Sequence, residues 1–134
     1  MTVAMRLDGR TALVTGASGG LGAHFARVLA RAGARVVVAA RREERCHAVA
    51  DEIRAGGGEA MAVALDVTDT ASIDAALDLV AERFGGVDLL VNNAGIVERG
   101  KGPRALADHA FAEVVRVNLT AVYAVSQRVS ERLI

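Results

Sequence analysis

Thr11-Ala12-Leu13-Val14-Thr15 runs directly into Gly16-Ala17-Ser18-Gly19-Gly20-Leu21-Gly22, and a helix-like run follows. The first five residues form a short apolar run of strand length. Gly16, Gly20 and Gly22 then stand in the spacing G-x-x-x-G-x-G. Glycines placed between a strand and a helix allow a tight turn. They also let a phosphate reach backbone N–H groups with no Cβ in the way. The helix that follows turns its positive end toward the same anion. The segment reads as a cradle for the diphosphate of a dinucleotide, with an ordinary Gly-rich turn as the plainer alternative.

Outward from this stretch the pattern alternates. Leu21, Phe25, Val28, Leu29 and Ala32 recur at helical spacing, and Gly33 stops that helix. Arg35–Ala40 is a β-branched apolar run, the second strand. Cys46, Val49 and Ile53 mark a second helix, broken by Gly56-Gly57-Gly58. Ala60–Leu65 is the third strand. Ile73, Ala76, Leu77, Val80 and Phe84 form the face of a third helix, with Asp69 or Thr70 as its cap and Gly85-Gly86 as its end. Val87–Val91 is the fourth strand, followed by a polar loop holding Pro103. Phe111, Val115, Val122, Val125 and Val129 then predict one face of a long final helix. Strands alternating with helices predict an α/β domain with a parallel sheet. Right-handed crossovers order its strands 3-2-1-4, a doubly wound arrangement of the Rossmann type.

At 134 residues the chain is long enough for one such domain and too short for two ordinary ones. Net charge is zero and the basic residues are dispersed, which argues against nucleic acid. The longest apolar runs are of strand length, so no membrane span is expected. Cys46 is the one cysteine, in keeping with a reducing, cytoplasmic setting. His24, His47 and His109 fall on separate elements, so no metal site is expected.

Thr15-Gly16-Ala17-Ser18-Gly19-Gly20-Leu21-Gly22 resembles the T-G-x-x-x-G-x-G cofactor motif of the short-chain dehydrogenase/reductase family. Asn92-Asn93-Ala94-Gly95 resembles its N-N-A-G motif, Asp66-Val67 its adenine-contacting pair, and Asn118 the asparagine of its catalytic tetrad. The resemblance covers essentially the whole chain, in order. It implies hydride transfer between a nicotinamide cofactor and a small carbonyl or alcohol substrate, with a homo-oligomer expected. It further implies cofactor contacts from Gly16, Ser18, Gly20, Leu21, Gly22, Asp66, Val67, Asn93, Ala94 and Gly95. Asn118 would hold a water of the proton relay. From the residues alone, Ser18 could instead cap the turn, Asp66 could start a turn, and Asn93 could tie the fourth strand to its neighbour. Asn118 could be an asparagine satisfied within the apolar stripe, where a polar side chain needs partners.

Cofactor choice turns on the end of the second strand, where an acid would bind ribose hydroxyls and repel a 2′-phosphate. Ala40 stands there, followed by Arg41-Arg42, whose guanidiniums match a phosphate in charge and geometry. NADP is therefore expected rather than NAD, although Gly19 occupies a position that is basic in many NADP-using relatives.

The family's acid–base pair is Tyr-x-x-x-Lys. The one tyrosine here, Tyr123, follows the one lysine, Lys101, so these 134 residues do not contain that pair. Residues 1–134 are thus expected to be an NAD(P)-binding domain that stops before the catalytic Ser and Tyr/Lys segment. Such a chain would be inactive alone and unstable as a monomer, since the fourth strand would have an open edge. A catalytically inactive nucleotide-binding or association module is the alternative.

Overall fold

A computed structural model describes residues 5–96 and 108–133. Lys101 and Pro103 lie outside the described residues. Four strands, β1 (Thr11–Thr15), β2 (Arg35–Ala40), β3 (Glu59–Ala64) and β4 (Leu89–Val91), make one parallel sheet in the order β3-β2-β1-β4. The register sets Val14 beside Val38 of β2 and Val91 of β4. The Rossmann-type order read from the sequence is the order found.

The apolar strand runs are explained by cover on both faces. On one side Val14, Val36 and Val38 pack under α1 (Gly20–Arg31) and α2 (Glu43–Ala55), with Cys46, Val49 and Ile53 reaching down from α2. On the other, Leu13, Val37 and Val63 meet Ile73, Leu77 and Val80 of α3 (Thr70–Phe84) and Val125 and Val129 of α5 (Ala121–Arg132). Asp69 caps α3, its carboxylate accepting from the backbone N–H of Ala71 and Ser72, and Gly85 ends the helix in the left-handed region. Ion pairs flank the α3–α5 contact, among them Arg128 to Asp74 at 2.7 Å and Arg132 to Asp78 at 2.9 Å. Being surface pairs, they add little beside the buried valines.

Three expectations are corrected. The apolar stripe of α1 faces the core only in part: Leu21 and Val28 are exposed, Leu29 packs partly buried against the core, and the buried positions are Gly22, Ala23 and Ala26. Small residues are inside because α1 lies close on the sheet above Gly16 and Ala17. The fourth strand is shorter than read, since Val87 and Asp88 precede its ladder, and its three residues are only half-buried because β4 is a sheet edge. Third, the long final helix is continuous but not regular. It runs as α4 (Asp108–Val115), a π-helical turn over Arg116–Thr120, and α5. The wider turn rotates one half against the other. Phe111 is consequently 61% exposed, while Ala121, Val125 and Val129 carry the buried face.

Candidate functional site

All four strands point their C-terminal ends at one rim of the sheet, where a parallel sheet places its loops. The chain there is held by one hydroxyl. Thr15 ends β1 and is buried; its Oγ1 accepts from the backbone N–H of Asn93 and of Ala94, both at 3.0 Å. The Asn93 side-chain amide donates to the carbonyl of Gly16 at 3.1 Å. The loop after β4 is thereby fastened to the glycine turn after β1, which is the tying role open to Asn93 from its sequence position.

Gly16 has φ +62°, and a Cβ on it would lie 2.8 Å from Ala94 Cα. A Cβ on Gly22 would be driven into the Gly16 carbonyl and the Asn93 amide. These two glycines let β1, α1 and the β4 loop meet at backbone distance. Gly20, also at positive φ, faces open space. No side chain caps α1, so the amides of its first turn lack both an intrahelical acceptor and a capping partner. Ser18 therefore does not act as the cap, and its side chain lines the cleft instead.

That cleft has a volume of about 300 Å³. Of the residues singled out from the sequence, Gly16, Ser18, Arg41, Arg42, Asp66, Val67, Ala94 and Gly95 line it. Gly20, Leu21, Gly22, Asn93 and Asn118 are not on its wall. Asp66 starts a turn, its Oδ1 accepting from Thr68 N–H at 3.0 Å and Thr68 Oγ1 at 2.7 Å. Those bonds, aided by the more distant Arg41 and Arg116, hold its carboxyl below the ordinary carboxylate range. The carboxylate is thus a fixed negative charge on the wall.

Asn118 sits in the π-helical turn and clasps the backbone of Ile96 at two points. Its Oδ1 accepts from the Ile96 N–H and its amide donates to the Ile96 carbonyl, both at 2.8 Å. The partners its position called for are therefore present, though the side chain is exposed rather than enclosed in an apolar stripe. Asn92 makes a parallel tie, donating to Ser126 Oγ at 3.0 Å. Tyr123 is 68% exposed.

Sequence reasoning missed Thr68, Ile96, Glu113 and Arg116 on the cleft wall. The Asp-x-Thr spacing was a readable turn signal for Thr68. Glu113 and Arg116 carried no signal, because only the fold brings α4 to the ends of β2 and β3. Elsewhere, no helix among the described residues is long and apolar enough to cross a membrane. Burial, with Glu43 and Glu44 nearby, pushes the Cys46 thiol up to about 11, which leaves it protonated and unreactive.

The model of the short chain dehydrogenase family matches residues 10–134. Among curated relatives, a 2,5-dichloro-2,5-cyclohexadiene-1,4-diol dehydrogenase of Sphingobium indicum is 43% identical over 121 residues, covering 90% of this chain and 48% of the relative. The 3-oxoacyl-[acyl-carrier-protein] reductase of Escherichia coli is 40% identical over 125 residues, 93% of this chain and 50% of that enzyme. Among solved structures, a gluconate 5-dehydrogenase from Burkholderia cenocepacia in complex with NADP and tartrate superposes with a TM-score of 0.87 at 40% identity, covering 96% of this chain and 50% of that one. A hydroxysteroid dehydrogenase from Escherichia coli gives 0.88 at 35% identity. The chain spans about half the length of the curated relatives it matches. Motif, strand order, cleft and family match agree: the chain belongs to the short-chain dehydrogenase family.

Proposed function

We propose that residues 1–134 are the cofactor-binding domain of an NADP-dependent oxidoreductase acting between a carbonyl and an alcohol. The observation that carries this reading is the cleft itself. Gly16, with no room for a Cβ, and two arginines at the end of β2 line the cleft, and the uncapped first turn of α1 starts two residues after Ser18 of its wall. Such a wall fits a group with two anionic ends. The α1 amides and the Gly16–Gly22 turn would hold the diphosphate, with Ser18 and Leu21 beside it. Arg41 and Arg42 would hold a 2′-phosphate. Among the described residues, Asp66 accepts hydrogen bonds at Oδ1 only, so Oδ2 would accept from an adenine amino group, with Val67 against the ring. Asn93, Ala94 and Gly95 would form the ribose-side floor. The nicotinamide, when bound, supplies or accepts the hydride. Asn118 would position a relay water, as the one catalytic-tetrad residue this chain offers. A cytoplasmic setting and association with a second copy belong to the same reading. Supporting the latter, Phe111, Leu119 and Tyr123 are each more than 60% exposed along α4, the π-helical turn and α5.

NADPH is expected to bind more tightly than NADH. Arg41→Asp should weaken NADPH by about 1–3 kcal/mol, the range of a charge-assisted hydrogen bond, with little effect on NADH. Isothermal titration decides, and equal dissociation constants for the two nucleotides on the unmodified protein would refute the preference.

A second reading of residues 1–134, taken by themselves, is a catalytically inactive nucleotide-binding or association module. Lys101 precedes Tyr123, so no Tyr-x-x-x-Lys pair is available within these residues. A tyrosine without such a cation stays protonated near neutral pH and cannot serve as the proton-transfer group. No steady-state turnover of NADPH is expected from the 134-residue chain with any carbonyl or alcohol. Turnover by a sample of verified mass would contradict this and require a different acid.

A further inference from the structure

The end of the second strand carries no acid, yet besides Asp66 the cleft has one from a distant segment. Glu113 of α4 lines the same cavity as Arg41, Arg42 and Asp66. It does not stand alone. Arg116, one turn on and also on the cavity wall, grips it at two points, Nε to Oε2 at 2.8 Å and Nη2 to Oε1 at 2.7 Å. Both side chains are about half exposed. The pair is neutral as a unit, and it meets the cleft from a different wall than Arg41.

We propose that the Glu113–Arg116 pair is a specificity element, in which Glu113 opposes a 2′-phosphate on Arg41 and Arg116 masks that opposition. The proposal rests on reading the cleft as a dinucleotide site. Electrostatic reach is supported by the behaviour of the carboxyls. Glu113 is held below the ordinary range first by its hydrogen bonds to Arg116 and also by the more distant Arg41, while Asp66 acts in the opposite sense. Asp66 in turn feels both Arg41 and Arg116. These four charges share one field, so a phosphate dianion placed at Arg41 would share it too. With Glu113 neutralised by its fork, the phosphate meets a net positive wall. Without the fork, a free carboxylate faces it.

The unphosphorylated dinucleotide lacks the group that Glu113 opposes, so the effect appears in the ratio of affinities. Titration of the purified protein with NADPH and NADH at low and high salt tests this. Glu113→Gln is expected to raise the preference for NADPH, and Arg116→Ala to lower it. Each change should be about two- to fivefold, the span of a screened surface charge interaction, and should shrink as salt rises. The double variant, Glu113→Gln with Arg116→Ala, is expected to return close to the original ratio, because it restores neutrality. The proposal is overturned if both single variants keep the original ratio. It is also overturned if the double variant stays at the Arg116→Ala value, which would make Arg116 a direct phosphate contact. If the unmodified protein binds neither nucleotide, the dinucleotide reading fails and this proposal fails with it. If it binds both equally while the variants still shift the ratio as stated, only the NADP preference fails.

Discussion

Gly16→Val is expected to abolish nucleotide binding and to destabilise the domain by about 2–5 kcal/mol. The two effects have one origin. At φ +62° a β-branched residue is strained by itself, and its Cβ would fall 2.8 Å from Ala94 Cα. Backbone cannot yield as a flexible side chain can, so the β1 turn and the β4 loop must separate, with an overpacking cost of about 1–3 kcal/mol added to the strain. From sequence alone the residue serves a tight turn and the approach of a phosphate. Its contact with Ala94 makes it a structural joint as well. Urea denaturation gives the stability and titration with NADPH under folding conditions gives the binding. Unchanged affinity in a folded variant would remove the phosphate cradle from the account.

Thr15→Val should destabilise by about 2–4 kcal/mol although it keeps the side chain's shape. Valine cannot accept the backbone N–H groups of Asn93 and Ala94, each 3.0 Å from the present hydroxyl. A partly buried donor left without its partner costs about 1–3 kcal/mol. Thr15→Ser keeps the acceptor and loses one methyl, so it should cost only about 1 kcal/mol. Denaturation midpoints for the pair separate hydrogen bonding from packing. Equal losses for Val and Ser would mean that the hydroxyl does not hold the loop.

The parts legible in the sequence are those where one physical demand dominates. The apolar runs of β1 and β2 read correctly because each strand is covered on both faces. Gly85, and Asp69 as one of the two caps the sequence offers, were legible because a helix end needs an acceptor at one terminus and a left-handed residue at the other. Reading failed where spacing between elements, rather than residue type, decides burial. Leu21 and Val28 look like a core stripe, but the fully buried positions of α1 are Gly22, Ala23 and Ala26, with Leu29 only partly covered. Periodicity at 3.6 residues per turn carried the final helix smoothly through Asn118, whereas the π-helical turn there resets the phase. Of the cleft, the local motifs were readable. The α4 wall was not, since Glu113 and Arg116 reach Asp66 only through tertiary packing.

The Asn118 clasp on Ile96 joins two parts of the fold that are far apart in the chain. It spans twenty-two positions, and its two hydrogen bonds fix the chain as it leaves the cleft to a later helix. Ile96 directly follows Gly95 and Ala94, and Ala94 is bonded to Thr15 and packs against Gly16. The π-helical turn is thereby linked through one short run of backbone to the glycine turn, so the two sides of the cleft are held as one unit.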